Sequence, residues 1–300
     1  MTHRYRTVDV AVPGGDLRVG VWEPEGVDAD APTVVLVHGV TASHLAWQFV
    51  AEALPGIRVV APDLRGRGRS NTVGGGAGMA RHADDLAEIF AALELTATVV
   101  VGHSMGAFVA VVFADRHPDL VTELILVDGG LPLAAPEGLS PAELVAAILG
   151  PTAARLDMRF ADTAAYLDFW RTHPAFGADW TPELERYLDY DLVPDGPQRR
   201  PAASPRMVEE DTVDLNGGVA LVTALDRIDR HPVQLITVPR GLQNEEPGLY
   251  ADEHLERMLA AYPSVGHERW ERLNHYTVVM AAAGAQRVAE TVARRLTAAG

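Results

Sequence analysis

A serine hydroxyl attacks a carbonyl only when a base takes its proton, so a candidate serine has to be read together with a histidine. Ser104 lies in Gly102-His103-Ser104-Met105-Gly106. The apolar run Val99-Val100-Val101 enters this pentapeptide and the small-residue stretch Ala107-Phe108-Val109-Ala110 leaves it. That order predicts a strand, a sharp turn and a helix, which together lift a nucleophilic serine clear of a sheet. The two glycines let neighbouring backbone approach where no Cβ intrudes, and the helix N-terminus faces developing negative charge. In the bland alternative Ser104 merely caps the helix. Among the eleven histidines, His275 is read as the general base, because it follows the last expected strand, 268–273, on the loop side that carries Ser104. His103 is expected to pack beside the serine and His38 to brace the loop that follows it. His82, His117, His173 and His231 are expected to be solvated or capping.

Buried strands and helices must alternate to hold such a constellation. Valines at 8, 10, 12, 19 and 21 with Leu17 flank Pro13-Gly14-Gly15-Asp16, which predicts an antiparallel edge hairpin. Continuous apolar runs at 33–37, 57–61 and 124–127 predict strands buried on both faces, with helices near 47–54, 79–93 and 278–296. From 132 to 231 no strand-like run is seen, and Ser140-Pro141-Ala142-Glu143, Thr181-Pro182 and Ser204-Pro205 open helices. The fold class is therefore α/β, a mostly parallel central sheet with helices on both faces and an inserted helical cap. The expected division is a core of residues 1–131 and 232–300 and a cap of 132–231.

Composition narrows the partners. A formal net charge of −16 argues against nucleic acid or an anionic membrane surface. There is no cysteine, which excludes disulfides and thiolate sites, and every basic residue counted is arginine. No signal-like stretch or bilayer-length apolar run is seen, so a cytoplasmic protein is expected. No clustered metal-ligand spacing or nucleotide fingerprint is seen, so no cofactor or metal is expected. The expected partner is a small-molecule substrate, with a homodimer left open.

His38-Gly39, Asp63-x-x-Gly66-x-Gly68-x-Ser70, Gly102-x-Ser104-x-Gly106 and Asn274-His275, in this order, make the chain resemble the α/β-hydrolase fold superfamily along nearly its whole length. The resemblance implies a serine nucleophile, an acid and a histidine in that chain order. It also implies an oxyanion hole from the backbone N–H groups of Met105 and Val40. Relatives often carry the acid as G-x-x-D after the strand that follows the cap, where this chain has Gly241-Leu242-Gln243-Asn244 and then Glu245-Glu246. An amide cannot stabilise an imidazolium as a carboxylate does, so Asp128, at the end of the preceding strand, is the preferred acid, with the 244–246 loop kept as the alternative. Arg65, Arg67 and Arg69 of the Asp63 motif are expected to pair with surface acids, the motif being scaffolding.

Tyr166, Phe169 and Trp170 fall at i, i+3 and i+4 of one cap helix. They either line an apolar substrate pocket or pack the cap onto the sheet. The expected function is a serine hydrolase cleaving a small, fairly apolar carboxylic ester or lactone through an acyl-enzyme on Ser104. The alternatives are a carbon–carbon bond hydrolase of a ring-cleavage type product and a non-catalytic small-molecule receptor on the same fold.

Overall fold

The computed structural model describes residues 3–26, 31–134 and 138–298. Two strands, β1 (His3–Val12) and β2 (Gly15–Pro24), form the hairpin, with Val10 opposite Leu17 and Val8 opposite Val19. Gly14 turns the chain at φ 104°, a conformation that favours glycine. Strand β3 (Thr33–Val37), helix α1 (Gln48–Glu52), strand β4 (Arg58–Pro62), helix α2 (Met79–Ala92), strand β5 (Thr98–His103), helix α3 (Met105–Arg116) and strand β6 (Val121–Val127) follow in alternation.

The segment after β6 holds α4 (Pro141–Leu149), α5 (Pro151–Ala154), α6 (Thr163–Arg171) and α7 (Pro182–Tyr190). It continues with β7 (Leu192–Asp195), β8 (Gln198–Pro201), α8 (Pro205–Asp214) and α9 (Val219–Leu225). The sheet resumes with β9 (Val233–Thr237), then α10 (Asp252–Ala261), β10 (Val265–Arg269), α11 (Thr277–Met280) and α12 (Ala282–Ala298). Among the described residues no helix is long and apolar enough to cross a membrane.

Eight strands form one sheet in the order β1-β2-β4-β3-β5-β6-β9-β10, parallel from β4 onward. The register sets Val37 beside Gly102, His103 beside Val127, and Val127 beside Ile236. Four strands therefore end together, and the loops after β3, β5, β6 and β9 emerge side by side. Loops at the carboxyl ends of parallel strands are where such sheets place ligands.

Three sequence expectations need correction. The last strand is 265–269, not 268–273, because Val265 is its only fully buried residue and the apolar Trp270 and Leu273 drew the expectation forward. The inserted segment is not purely helical, since β7 and β8 pair as a hairpin. Its prolines hid it, yet Gly196 at φ 60° followed by Pro197 has the sign pattern of a tight hairpin turn. The C-terminal helix is broken at Ala281, whose extended backbone separates α11 from α12.

The insertion is fastened to the core at several points. The N-terminal N–H groups of α2 face acids of α8: Ala77 donates to Glu210 (2.9 Å), Gly78 to Asp211 (2.6 Å) and Met79 to Asp214 (2.6 Å). Carboxylates there satisfy orphan donors and complement the helix dipole. Helix α9 packs on α3 and α2, so the end of the 132–231 segment lies against the core.

Candidate active site

Ser104 occupies the apex between β5 and α3 with φ 54° and ψ −126°, a strained backbone for a residue with a Cβ. Its amide donates to the Val127 carbonyl at 2.9 Å, and its side chain makes no capping bond to the helix. The helix-cap alternative is thereby removed. A methyl group on Gly102 would overlap the Gly106 carbonyl, and one on Gly106 would overlap the Val37 carbonyl. Gly129, which carried no weight in the sequence reading, is pressed against the Ser104 carbonyl in the same way.

His275 reaches this apex from a loop rather than from a strand end. Its amide donates to Arg240 O at 3.0 Å. Asn274 ties the loop down, its Oδ1 accepting from the amides of Tyr276 (3.0 Å) and Thr277 (2.9 Å) while its Nδ2 donates to Ala175 O at 2.8 Å. The His275 Nδ1–H donates to Asp128 Oδ2 at 2.7 Å, with both side chains buried. Asp128 stands just past β6 at φ 47°, its amide held by Ile236 O at 2.7 Å. Once Nδ1 carries the proton, the neutral ring presents a lone pair at Nε2.

The alternative acid loop does not meet the histidine. Asn244 accepts from Asn274 at 3.1 Å, Glu245 accepts from the Gln243 amide at 2.6 Å, and Glu246 faces Arg240 at 3.7 Å from an exposed position.

Val40 and Met105 both line the cavity that holds Ser104 and His275. Their N–H groups donate to no acceptor among the described residues, as an oxyanion hole requires. Below them lies a residue misjudged from the sequence. Arg67 is fully buried, not a surface group: its Nε donates to Val40 O at 2.8 Å, its Nη2 touches Met105 Sδ at 3.8 Å, and it pairs with Asp211 at 2.5 Å. Arg65 is likewise buried, on Asp85 at 2.7 Å. Arg69 lies over the Tyr190 ring and donates to its carbonyl at 2.9 Å. Asp63 collects the His44 ring (2.7 Å), the Arg69 amide (2.8 Å) and the Tyr190 hydroxyl (2.7 Å). Burial pushes Asp63 up, but the His44 contacts outweigh it and hold the carboxyl near about 2.

Two histidines beside the site, His38 and His103, are held neutral by burial. His38 is buried, which lowers it to about 4. Its Nδ1–H donates to Gly39 O at 2.7 Å and its Nε2 accepts from the Leu64 amide at 2.9 Å. His103 is held well below the ordinary range by burial and by the nearby His275. Its Nε2–H donates to His275 O at 2.8 Å, and the two rings lie 4.7 Å apart. His82, expected to be solvated or capping, is fully buried and bonded to Asp211 at 3.0 Å.

The cavity itself is small, about 50 Å³, with an apolar lining that includes Phe108, Leu133, Ile148, Leu149, Leu215 and Leu242. A larger open hollow of about 960 Å³ lies elsewhere, edged by Arg81, Asp84, Glu209 and Asp214, and contains none of the candidate catalytic residues. Tyr166, Phe169 and Trp170 do not line the Ser104 cavity, which corrects the pocket expectation. Tyr166 bonds Arg155 and Asp191 in a buried cluster, and Trp170 packs edge-on to Tyr166, Phe169 and Phe176 and beneath Arg155. Those rings pack within the inserted segment, and Trp170 also meets the Tyr276 ring edge-on at 6.3 Å. Its contribution to the cavity comes instead from Ile148, Leu149, Tyr187, Thr212 and Leu215. Among the described residues no cluster of three or more metal-ligating side chains is placed to hold an ion.

Comparison with known proteins places this geometry. Residues 32–204 match the family model described as alpha/beta hydrolase fold. A putative 2-succinyl-6-hydroxy-2,4-cyclohexadiene-1-carboxylate synthase of Bacillus subtilis is 37% identical over 122 residues, 40% of this chain and 43% of that protein. A bifunctional esterase/perhydrolase of Acinetobacter calcoaceticus is 36% identical over 123 residues, again 40% of this chain and 43% of that protein. The match thus spans well under half the length of these curated relatives. The solved structure of E-2-(acetamidomethylene)succinate hydrolase aligns over 97% of this chain and 100% of its own, with TM-score 0.77 and 20% identity. With the family model covering more than half of the sequence, and an eight-stranded sheet of matching architecture, the chain belongs to the alpha/beta hydrolase fold family.

Proposed function

We propose that the protein is a serine hydrolase that cleaves carboxylic esters through an acyl-enzyme on Ser104. The observation that carries this reading is the His275–Asp128 bond of 2.7 Å at the wall of the cavity that also holds Ser104. His275 Nε2 takes the Ser104 proton as Oγ attacks the ester carbonyl. The oxygen of the tetrahedral intermediate is stabilised by the N–H groups of Val40 and Met105. Collapse breaks the ester C–O bond, and the proton passes from Nε2 to the leaving alcohol. Water, deprotonated by His275, then releases the acid and restores Ser104. Asp128 holds the tautomer and stabilises the imidazolium, while the neutral His103 beside it adds no opposing charge.

The mostly apolar lining favours an apolar ester, open-chain or cyclic. The esterase name carried by the Acinetobacter relative agrees with this reading. The test is fluorophosphonate labelling together with turnover of p-nitrophenyl acetate. Wild type should be labelled and active, and Ser104→Ala should be neither while keeping its melting temperature. Equal labelling of both proteins, or an unlabelled and inactive wild type, overturns the proposal.

A further inference from the structure

Beside the Ser104 cavity lies a second hollow, of about 400 Å³. Leu133, Leu139, Leu144, Leu215, Leu221 and Leu225 line it, with Val222 among the other lining residues. No charged residue is among its described lining residues. Leu133 and Leu215 also line the Ser104 cavity, so these two leucines border both spaces. The larger acidic hollow near Arg81 shares no residue with the Ser104 cavity.

Size makes this adjacency informative. The Ser104 cavity, about 50 Å³, is about one eighth of the size of the hollow beside it. An acyl chain that outgrows the smaller space meets the larger one past Leu133 and Leu215. Helix α8 is pinned to α2 by Glu210, Asp211 and Asp214 and to the core by the Arg67–Asp211 pair. The helix backbone is thereby anchored next to Leu215, one of the two residues that border both spaces. Beyond them the described leucine lining suits an unbranched hydrocarbon chain.

Resting on the serine-hydrolase reading, we infer that the 400 Å³ hollow is the acyl-chain subsite. The substrate is an ester of a medium- or long-chain unbranched acid, its chain running from Ser104 between Leu133 and Leu215 towards Val222 on α9.

The experiment measures kcat/KM for p-nitrophenyl esters from acetate to decanoate, and in parallel for acetates of alcohols of the same lengths. Lengthening the acyl chain should raise kcat/KM by roughly fourfold per methylene once the chain passes the two leucines. Val222→Glu, at an exposed position, and Leu144→Glu, at a partly exposed one, should lower the decanoate-to-acetate ratio by about tenfold or more through a charge in the chain's path. Val219→Glu, on the same helix but outside the hollow, should leave that ratio unchanged. A flat or falling acyl profile, a ratio untouched by both hollow variants, or a length effect confined to the alcohol side overturns the assignment.

Calorimetry of ethyl decanoate with Ser104→Ala separates this inference from the reading it rests on. Binding that is lost in the Val222→Glu double variant supports the subsite even if the wild type proves inactive. Absence of binding overturns the subsite even if acetate is hydrolysed.

Discussion

The loops at the sheet edge and the inserted segment above them are built by different means. At the edge, function is placed by backbone: Ser104 and Asp128 adopt positive φ, and Gly102, Gly106 and Gly129 give way to adjoining chain. The insertion is held by side chains, with Arg155, Tyr166 and Asp191 bonded together under Trp170 and Phe169. Of its large aromatic residues, Tyr187 alone among those described reaches the Ser104 cavity. Changes at the edge should therefore act on chemistry with little effect on stability, and changes among the cap aromatics should do the reverse.

The widest separation is expected at Asp128. On the proposed mechanism Asp128→Asn lowers kcat by about 10⁴ while the protein still folds, because the wrong tautomer of His275 is favoured. Turnover at matched circular dichroism measures it, and near-normal activity would break the comparison at its strongest point. Arg67 joins the two regions, touching Val40 in the core and Asp211 on α8. Arg67→Met should cost about 3 kcal/mol of stability, because the buried Asp211 loses its guanidinium partner and keeps only His82 and the Gly78 amide. It should also lower kcat by up to about a hundredfold, as the Val40 loop loses its anchor. Denaturant unfolding and turnover, measured on one preparation, report both effects.

Trp170→Ala is the counterpart in the insertion. A stability loss of about 3–5 kcal/mol is expected from the cavity it leaves, with the preference between acetate and butyrate esters unaltered. A changed preference at constant stability would return Trp170 to the substrate pocket.

Acidification should act through the edge, on stability rather than on chemistry. Burial holds His38 at about 4 and His103 well below its ordinary value, so the unfolded chain binds more protons than the folded one below about pH 6.5. Stability is therefore present above that pH and is lost as pH falls, by on the order of 1.4 kcal/mol per pH unit for each such group down to its folded value. Urea midpoints at pH 7.5 and pH 5 test the sign. Glu245→Gln should be the mildest change, within about twofold in kcat/KM, since that carboxylate accepts from the Gln243 amide.

How much could be read in advance follows the same division. The strand, turn and helix around Ser104 are local, so apolar runs and two glycines announced them, and the hairpin and the Ser140 capping box were equally plain. His275 was chosen for a position it does not hold: it follows a five-residue loop after β10, tied down by Asn274. Asn274 was legible as part of a motif, but its bonds to Tyr276, Thr277 and Ala175 were not. The arginines of the Asp63 motif were misread because exposure is no property of a charged side chain alone. Arg65 and Arg67 are buried since Asp85 and Asp211 arrive from 20 and 144 positions away.

The sequence by itself determined the alternation of strands and helices, the sharp turn at Ser104 and the absence of thiol chemistry. Each depends on residues within a few positions of one another, or on composition alone. Only the tertiary structure decided which carboxylate meets His275, because Asp128 and Glu245 both follow neighbouring strands and differ only in where their loops point. It also decided which cap residues face the cavity. A helix with aromatic residues on one face can turn that face towards a ligand or towards its own domain. Here the buried Arg155–Asp191 pair draws Tyr166 and Trp170 inward.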